Sequence, residues 1–295
     1  MIKAEFSGDD AGVGLSACRR IAAMAAAFAF LGCLAAASGA VAQPASVGGF
    51  AAPRGGDDET LIVGGKPADI AEHPWQVALS IETLAGGPAL CGGSVIAPQW
   101  IVTAAHCFVT SPRDRPGELR FGATRLGEGG EITDFEAVVI HPSYDRRTQV
   151  ADIALVKVEA DLSDRVIRLT GPEDRIRLGA PLEVSGWGRT SEGGQVSQVL
   201  MRADVPLVGL SKCNAPDAYD GAVREGMMCA GHIDGGIDAC QGDSGGPLVW
   251  RGGESPALVG VVSWGEGCAR ALRYGVYTQI RRYKRWILTT IAEDG

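Results

Sequence analysis

Positive charge is the first thing this chain is short of. Its 27 Lys and Arg stand against 35 Asp and Glu, a net charge of −8. That balance argues against nucleic acid or an anionic membrane surface as the partner, and solubility alone accounts for it. No internal repeat is visible. Helical spacing of apolar residues is missing except in the tail IRRYKRWILTTIAE, where Ile280, Trp286, Ile287 and Ile291 fall on roughly one side. Histidine is scarce, at four. His73, His141 and His232 have no cysteine or carboxylate at metal-ligand spacing and read as structural, so no metal and no cofactor is expected. The longest apolar run, IAAMAAAFAFLGCLAAA, has 17 residues, barely enough to span a bilayer. What is present is ordinary globular composition, rich in glycine (42), with ample length for a core.

The first 60 residues differ from the rest. Arg19 and Arg20, the apolar run and then Ala40-Val41-Ala42 before Gln43 match a secretory signal over 1–42 with a small-residue cleavage site. An uncleaved anchor is the competing reading, and a lipid on Cys33 a weaker one, because Phe30 suits such signals poorly. Residues 43–61, QPASVGGFAAPRGGDDETL, offer little to bury and read as a flexible spacer. Export places the remaining cysteines, Cys91, Cys107, Cys213, Cys229, Cys240 and Cys268, in an oxidising compartment. An even number there implies three disulfides, and spacing leaves all 15 pairings open.

From residue 62 onward short β-type runs alternate with turns: WQVALSI, GGSVIA, WIVTAA, FEAVVI, IALVKV, PLEVSGW, PALVGVVSW and GVYTQI. Valine, isoleucine and aromatics fill the runs, with Gly, Pro, Asp and Ser between them. Many short strands without alternating helices mean an all-β sandwich or barrel.

Three stretches carry chemistry. CQGDSGGPL sets Ser244 in a glycine-flanked turn, where it is either a turn residue or an exposed nucleophile. VTAAHC ends an apolar run at His106, and ADIALVKV opens another at Asp152. Singly, the histidine reads as a packed core residue and the aspartate as a turn or cap. Together they supply a nucleophile, a base and an orienting carboxylate: imidazole takes the hydroxyl proton, and the carboxylate holds the imidazole tautomer.

With IVGG, VTAAHC, DIALVKV, GWG, DACQGDSGGPL and VSWGEGC…YGVYT in this order and spacing, the chain from 62 to about 290 resembles the chymotrypsin-like serine peptidases, trypsin type. The resemblance implies two six-stranded antiparallel Greek-key barrels, about 62–175 and 176–280, with a C-terminal helix, in a peptidase domain of 62–295. It implies a secreted endopeptidase in which His106, Asp152 and Ser244 are catalytic and the N–H groups of Gly242 and Ser244 form the oxyanion hole. It implies that cleavage before Ile62 frees an ammonium for Asp243. It pairs Cys91 with Cys107, Cys213 with Cys229, and Cys240 with Cys268.

By the same resemblance Asp238 lies at the base of the specificity pocket, with Gly265 and Gly275 at its walls. A buried carboxylate there favours a cationic side chain. Ala239 stands where trypsin has serine, so arginine is expected over lysine. Ser263, Trp264 and Gly265 are expected to pair with substrate backbone.

The chain also departs from the pattern. Ala68 replaces one cysteine, and Arg202 with Trp250 are read as occupying another lost pair. Glu128, Glu131, Asp134 and Glu136 are too bunched to copy the family's calcium loop, while Tyr274 matches a tyrosine linked to sodium binding in some relatives. Leu61, not a basic residue, precedes Ile62, so the enzyme cannot activate itself and needs a separate activating protease. Its other partners are expected to be protein or peptide substrates and protein inhibitors, and the protein is expected to be a monomer. A catalytically inactive binding protein on the same fold is the alternative class. Asp238 argues against an elastase-like or chymotrypsin-like pocket.

Overall fold

The computed structural model describes residues 64–111 and 117–293. The signal and spacer expected over 1–61, together with Ile62, lie outside the described residues. Strand β1 (Lys66–Pro67) opens the chain. Strands β2 (Gln76–Glu82), β3 (Pro88–Ala97), β4 (Trp100–Thr103), β5 (Glu118–Phe121), β6 (Glu131–Ile140) and β7 (Ala154–Val158) close into an antiparallel barrel in the order β2-β3-β4-β7-β6-β5. After the short β8 (Arg168–Leu169) come β9 (Pro181–Gly186), β10 (Met201–Val208), β11 (Met227–Ala230), β12 (Pro247–Trp250), β13 (Ala257–Trp264) and β14 (Gly275–Gln279). These six form a second ring, β9-β10-β11-β14-β13-β12, closed by the pairing of β10 with β9. Closure removes the unpaired edges that an open sheet would present. The two-barrel, all-β architecture is the one expected.

Period-2 packing explains the first barrel. Val77, Leu79 and Ile81 of β2 point inward to meet Leu119 and Phe121 of β5, with Val77 opposite Phe121 and Leu79 opposite Leu119. The division by chain position is less clean than the sequence suggests. β1 pairs with β10 and β8 with β13, so two short strands from before residue 175 belong to the second sheet.

Four substantial strands carry too weak a pattern to be legible in the sequence. β5 (ELRF) shows only two inward residues, β10 contains Asp204 and Pro206, β11 (MMCA) lacks β-branched residues, and β12 runs directly on from the Ser244 turn. Helix α1 (Leu210–Cys213) is a single turn. Helix α2 (Ile280–Glu293) packs beside β13 and β8 and buries Ile280, Tyr283 and Ile287 in a cluster that joins the first barrel's core to Val249, Leu258 and Val261 of the second, with Trp286 and Ile291 only partly buried. Tyr283 is a buried anchor outside the expected apolar set of Ile280, Trp286, Ile287 and Ile291.

The disulfides join Cys91 to Cys107, Cys213 to Cys229 and Cys240 to Cys268, as the resemblance implied. A closed loop of this size stabilises by about 3 kcal/mol. One fully buried aliphatic side chain contributes about 1.5–3 kcal/mol, so the two cores outweigh the cross-links.

Two departures are settled by register. Arg202 faces Lys66 on β1 and Ser185 on β9, whereas Trp250 faces Ala257 on β13. They are not neighbours, and the expectation that they occupy one lost cross-link is wrong: Arg202 belongs beside the Ala68 segment. There it joins an ionic cluster built around the buried Glu183 and His73. Glu183, on β9, accepts from His73 Nε2 at 3.0 Å, Arg202 at 3.0 Å and Arg251 at 2.8 Å. The Arg251 guanidinium also lies over the Trp75 ring, 5.2 Å from its centroid. His73 thus has a carboxylate partner, 110 residues away in the chain.

Burial pushes the Glu183 carboxyl up, but the hydrogen bonds and charges of His73 and Arg251 outweigh it and hold the group at about 2 against an ordinary 4.5. A depressed carboxyl stabilises the fold above the unfolded value and loses that contribution as pH falls towards the folded value. Glu183→Gln is therefore expected to cost about 2–3 kcal/mol at pH 7, below the full penalty of a buried pair because both arginines reach solvent. Thermal unfolding at pH 7 and at pH 3 checks it: the gap to the parent should shrink at the lower pH.

Candidate active site

His106 sits in the one-turn 3-10 helix Ala105–Phe108 that follows β4, and Asp152 lies just before β7, so the β4–β7 pairing brings them together. The Asp152 carboxylate is fully buried, and one oxygen accepts from His106 Nδ1 at 2.8 Å, the other from the His106 backbone N–H at 2.9 Å. His106 keeps about a quarter of its side chain exposed. The imidazole is thus gripped on one side and open on the other.

Two further groups complete the Asp152 environment, both from the second barrel. Ser263 Oγ, near the end of β13, donates to the same oxygen as His106 Nδ1, and Thr278 Oγ1 on β14 donates to the Asp152 carbonyl at 2.7 Å. The resemblance points Ser263 only to substrate pairing and assigns no role to Thr278. Nothing local marks either residue; only the β13–β14 register brings them to Asp152.

Ser244 occupies the turn between Cys240 and β12, and contacts to the first barrel bring this turn to the histidine side. The Gly92 N–H donates to the Ser244 carbonyl at 2.7 Å, and Cys107 Sγ lies 3.9 Å from that same oxygen. Gly245 shows why glycine is required here. Its φ is +80°, and a Cβ would stand 2.1 Å from Thr103 Oγ1 and 2.5 Å from the Gly92 carbonyl oxygen. Gly242, with φ +98°, turns the backbone before Asp243, and neither its N–H nor that of Ser244 donates to another group among the described residues. Two amides without a protein acceptor among the described residues thus stand beside a partly exposed serine.

Asp243 is fully buried beneath them. Burial pushes its carboxyl up to about 6, although the N–H groups of Cys240 (3.0 Å) and Gly188 (2.8 Å) donate to it. The GWG motif makes the space. A Cβ on Gly186 would lie 2.2 Å from one carboxylate oxygen, and a Cβ on Gly188 2.3 Å from the other.

Asp238 is the second buried carboxylate, pushed up to about 7 by burial against the opposing pull of the Ala269 and Ala239 N–H groups, with the charge of Asp243 adding to the rise. Those two amides, at 2.8 Å (Ala239) and 3.4 Å (Ala269), are its hydrogen-bond partners; no cationic side chain among the described residues pairs with it. Gly275 abuts it, since a Cβ there would be 2.9 Å from its oxygen, whereas a Cβ on Gly265 would meet nothing closer than 3.9 Å. Trp264 stands edge-on to Tyr219, ring centroids 4.9 Å apart. Tyr274 is buried, and its carbonyl accepts from Tyr219 Oη at 2.7 Å.

An imidazole held by a buried carboxylate, a serine in a glycine turn and two amides without a protein acceptor among the described residues, set between antiparallel barrels, fit a serine hydrolase working by acyl transfer. The family model described as Trypsin matches residues 62–287. The chain is 39% identical over 242 residues to Serine protease 1 of Homo sapiens, covering 81% of this chain and 92% of that protein. It belongs to the trypsin family and is a trypsin-like serine endopeptidase, with proteins as its substrates.

The Asp243 cradle yields a test. Gly188→Ala drives a methyl into the carboxylate and displaces the turn carrying Gly242 and Ser244. Turnover is expected to fall roughly 10²–10³-fold, the loss typical of one oxyanion donor. Steady-state assays on an amide substrate, with far-UV circular dichroism to verify the fold, read it.

Proposed function

We propose that this protease cleaves after Arg, and less efficiently after Lys, through an acyl-enzyme. The observation that carries the reading is Asp238, a buried carboxylate with no cationic partner among the described residues, bordered by Gly275 and Gly265. Ala239 supplies no hydroxyl to a lysine ammonium, while a guanidinium pairs with a carboxylate through two parallel hydrogen bonds.

His106 takes the proton of Ser244 Oγ as that oxygen attacks the scissile carbonyl. Asp152 stabilises the imidazolium, and the Gly242 and Ser244 N–H groups receive the oxyanion. His106 then gives its proton to the leaving amine, and water repeats the sequence to release the acid. Ser263, Trp264 and Gly265 align the substrate backbone.

The protein is made as a secreted precursor, with residues 1–42 as signal, 43–61 as propeptide and 62–295 as the peptidase. Three disulfides support an oxidising compartment. A separate protease cuts Leu61–Ile62, and the Ile62 ammonium pairs with Asp243. Gly64 supports this path: a Cβ there would lie 2.4 Å from the Gly236 carbonyl oxygen, so the chain runs close beside the Asp238 loop. Such a buried pair is costly to break, about 3–5 kcal/mol, enough to keep the precursor inactive. The active form is a monomer and a target for protein inhibitors.

Protein processed to begin at Ile62 is assayed on amides differing only before the scissile bond. Arg above Lys, with Phe, Leu and Ala negligible, is the expected result; turnover of Phe or Leu would overturn the pocket assignment. Incubating the purified active enzyme with precursor should leave Leu61–Ile62 intact, as read by N-terminal sequencing.

The pocket also has a pH signature. A bound cation favours ionised Asp238, which when empty titrates at about 7. Affinity for benzamidine should therefore fall as pH drops through about 7, approaching tenfold per unit below it. Asp238→Asn should remove both the affinity and its pH dependence.

A further inference from the structure

Glu192 and Arg270 form a two-pronged ion pair outside the catalytic groups, with Arg270 Nε donating to one Glu192 oxygen at 3.0 Å and Nη2 to the other at 2.6 Å. The Cys268 N–H donates to the same carboxylate. Glu192 therefore caps the segment 268–270 through its backbone as well as through the arginine. An exposed pair of this kind ordinarily contributes little. What distinguishes this one is the two segments that it joins.

On one side is the segment 268–272. Ala269 and Leu272 both adopt left-handed backbone, at φ +55° and +60°, conformations that L residues rarely hold without support from their surroundings. The Ala269 N–H points at the Asp238 carboxylate, and the Ala269 carbonyl accepts from Gly236. On the other side is the segment 188–194, which runs along the Ser244 turn. The Gly188 N–H donates to Asp243, and the Arg189 N–H donates to the Gln241 carbonyl at 2.7 Å. The Cys240–Cys268 bridge is the covalent link between the turn and the strained segment, and Glu192–Arg270 is the ionic one.

We propose that Glu192 and Arg270 are positioning residues for the specificity pocket: their ion pair holds the strained 268–272 segment so that the Ala269 amide stays on Asp238. This rests on the pocket role proposed for Asp238. The pair touches neither substrate nor the reacting atoms, and acts through the pocket floor.

The processed enzyme is made as Glu192→Gln, Arg270→Gln, the double variant and Arg270→Lys. Each is measured for kcat and KM on an arginine amide and for benzamidine affinity. Each Gln single should raise KM and weaken benzamidine roughly three- to fivefold, the upper end for an exposed pair, with kcat within about twofold. The double should be no worse than the weaker single, because one interaction is lost once. Arg270→Lys, keeping the charge but losing the fork, should fall between parent and Arg270→Gln. Unchanged KM and benzamidine affinity in the singles, effects that multiply in the double, or a loss confined to kcat would each overturn the proposal. Asp238→Asn run alongside separates the two readings: if it leaves arginine turnover intact, the pocket assignment has failed, whatever the cycle shows.

Discussion

Holding the Asp243 carboxylate away from water, with two backbone amides as its described hydrogen-bond donors, is the constraint on which the Ser244 turn depends. Both glycines of GWG are required because any Cβ would strike an oxygen of that group. The Cys240 N–H closes the turn from below, and the chain then turns at Gly242 and Gly245, both with positive φ. The geometry of the serine is thus inherited from a group that never meets substrate. Burial leaves the carboxyl titrating near 6, a poorly compensated state that a nearby ammonium would relieve. This is the physical sense in which a new N-terminus at Ile62 is proposed to act as a switch.

Three buried aspartates in one small region show how surroundings divide labour. Asp152 receives three donors on its carboxylate, two from His106 and one from Ser263, and is bound to that geometry. Asp243 receives two amides within a closed cradle. Asp238 also receives two, but it borders Gly275 and Gly265, and this is the ground on which a cation-binding role is proposed for it. Identical side chains are held differently by what is packed around them, and the separate roles proposed for them follow from those surroundings.

Stability is distributed in the same spirit. Where the resemblance leads one to expect further cross-links, the chain has Arg202 ion-paired to Glu183, together with Arg251 and the buried His73. The cluster ties β9 and β10 to the segment before β2 through charge rather than sulfur. Such a fastening responds to acid, which a disulfide does not. It was invisible in the chain because His73 lies 110 residues before Glu183 and Arg251 a further 68 beyond it, and neither a histidine nor a glutamate announces a distant ion pair.

The class of the fold was legible in the amino-acid sequence, and its motifs pointed to His106, Asp152, Ser244 and Asp238, with their flanking glycines, as the candidate site. These are legible because strand periodicity is local and because the motifs are contiguous: a tight turn must be written in adjacent residues. Strands β5, β10, β11 and β12 were not legible, since two inward residues or a proline-containing run carries too weak a period. Ser263 and Thr278 as supports of Asp152, Tyr283 as the helix anchor, and the placement of Arg202 away from Trp250 were decided only by tertiary structure. Each depends on the register between strands or on packing across the two barrels, and register is a property of pairs of segments that neither segment encodes alone.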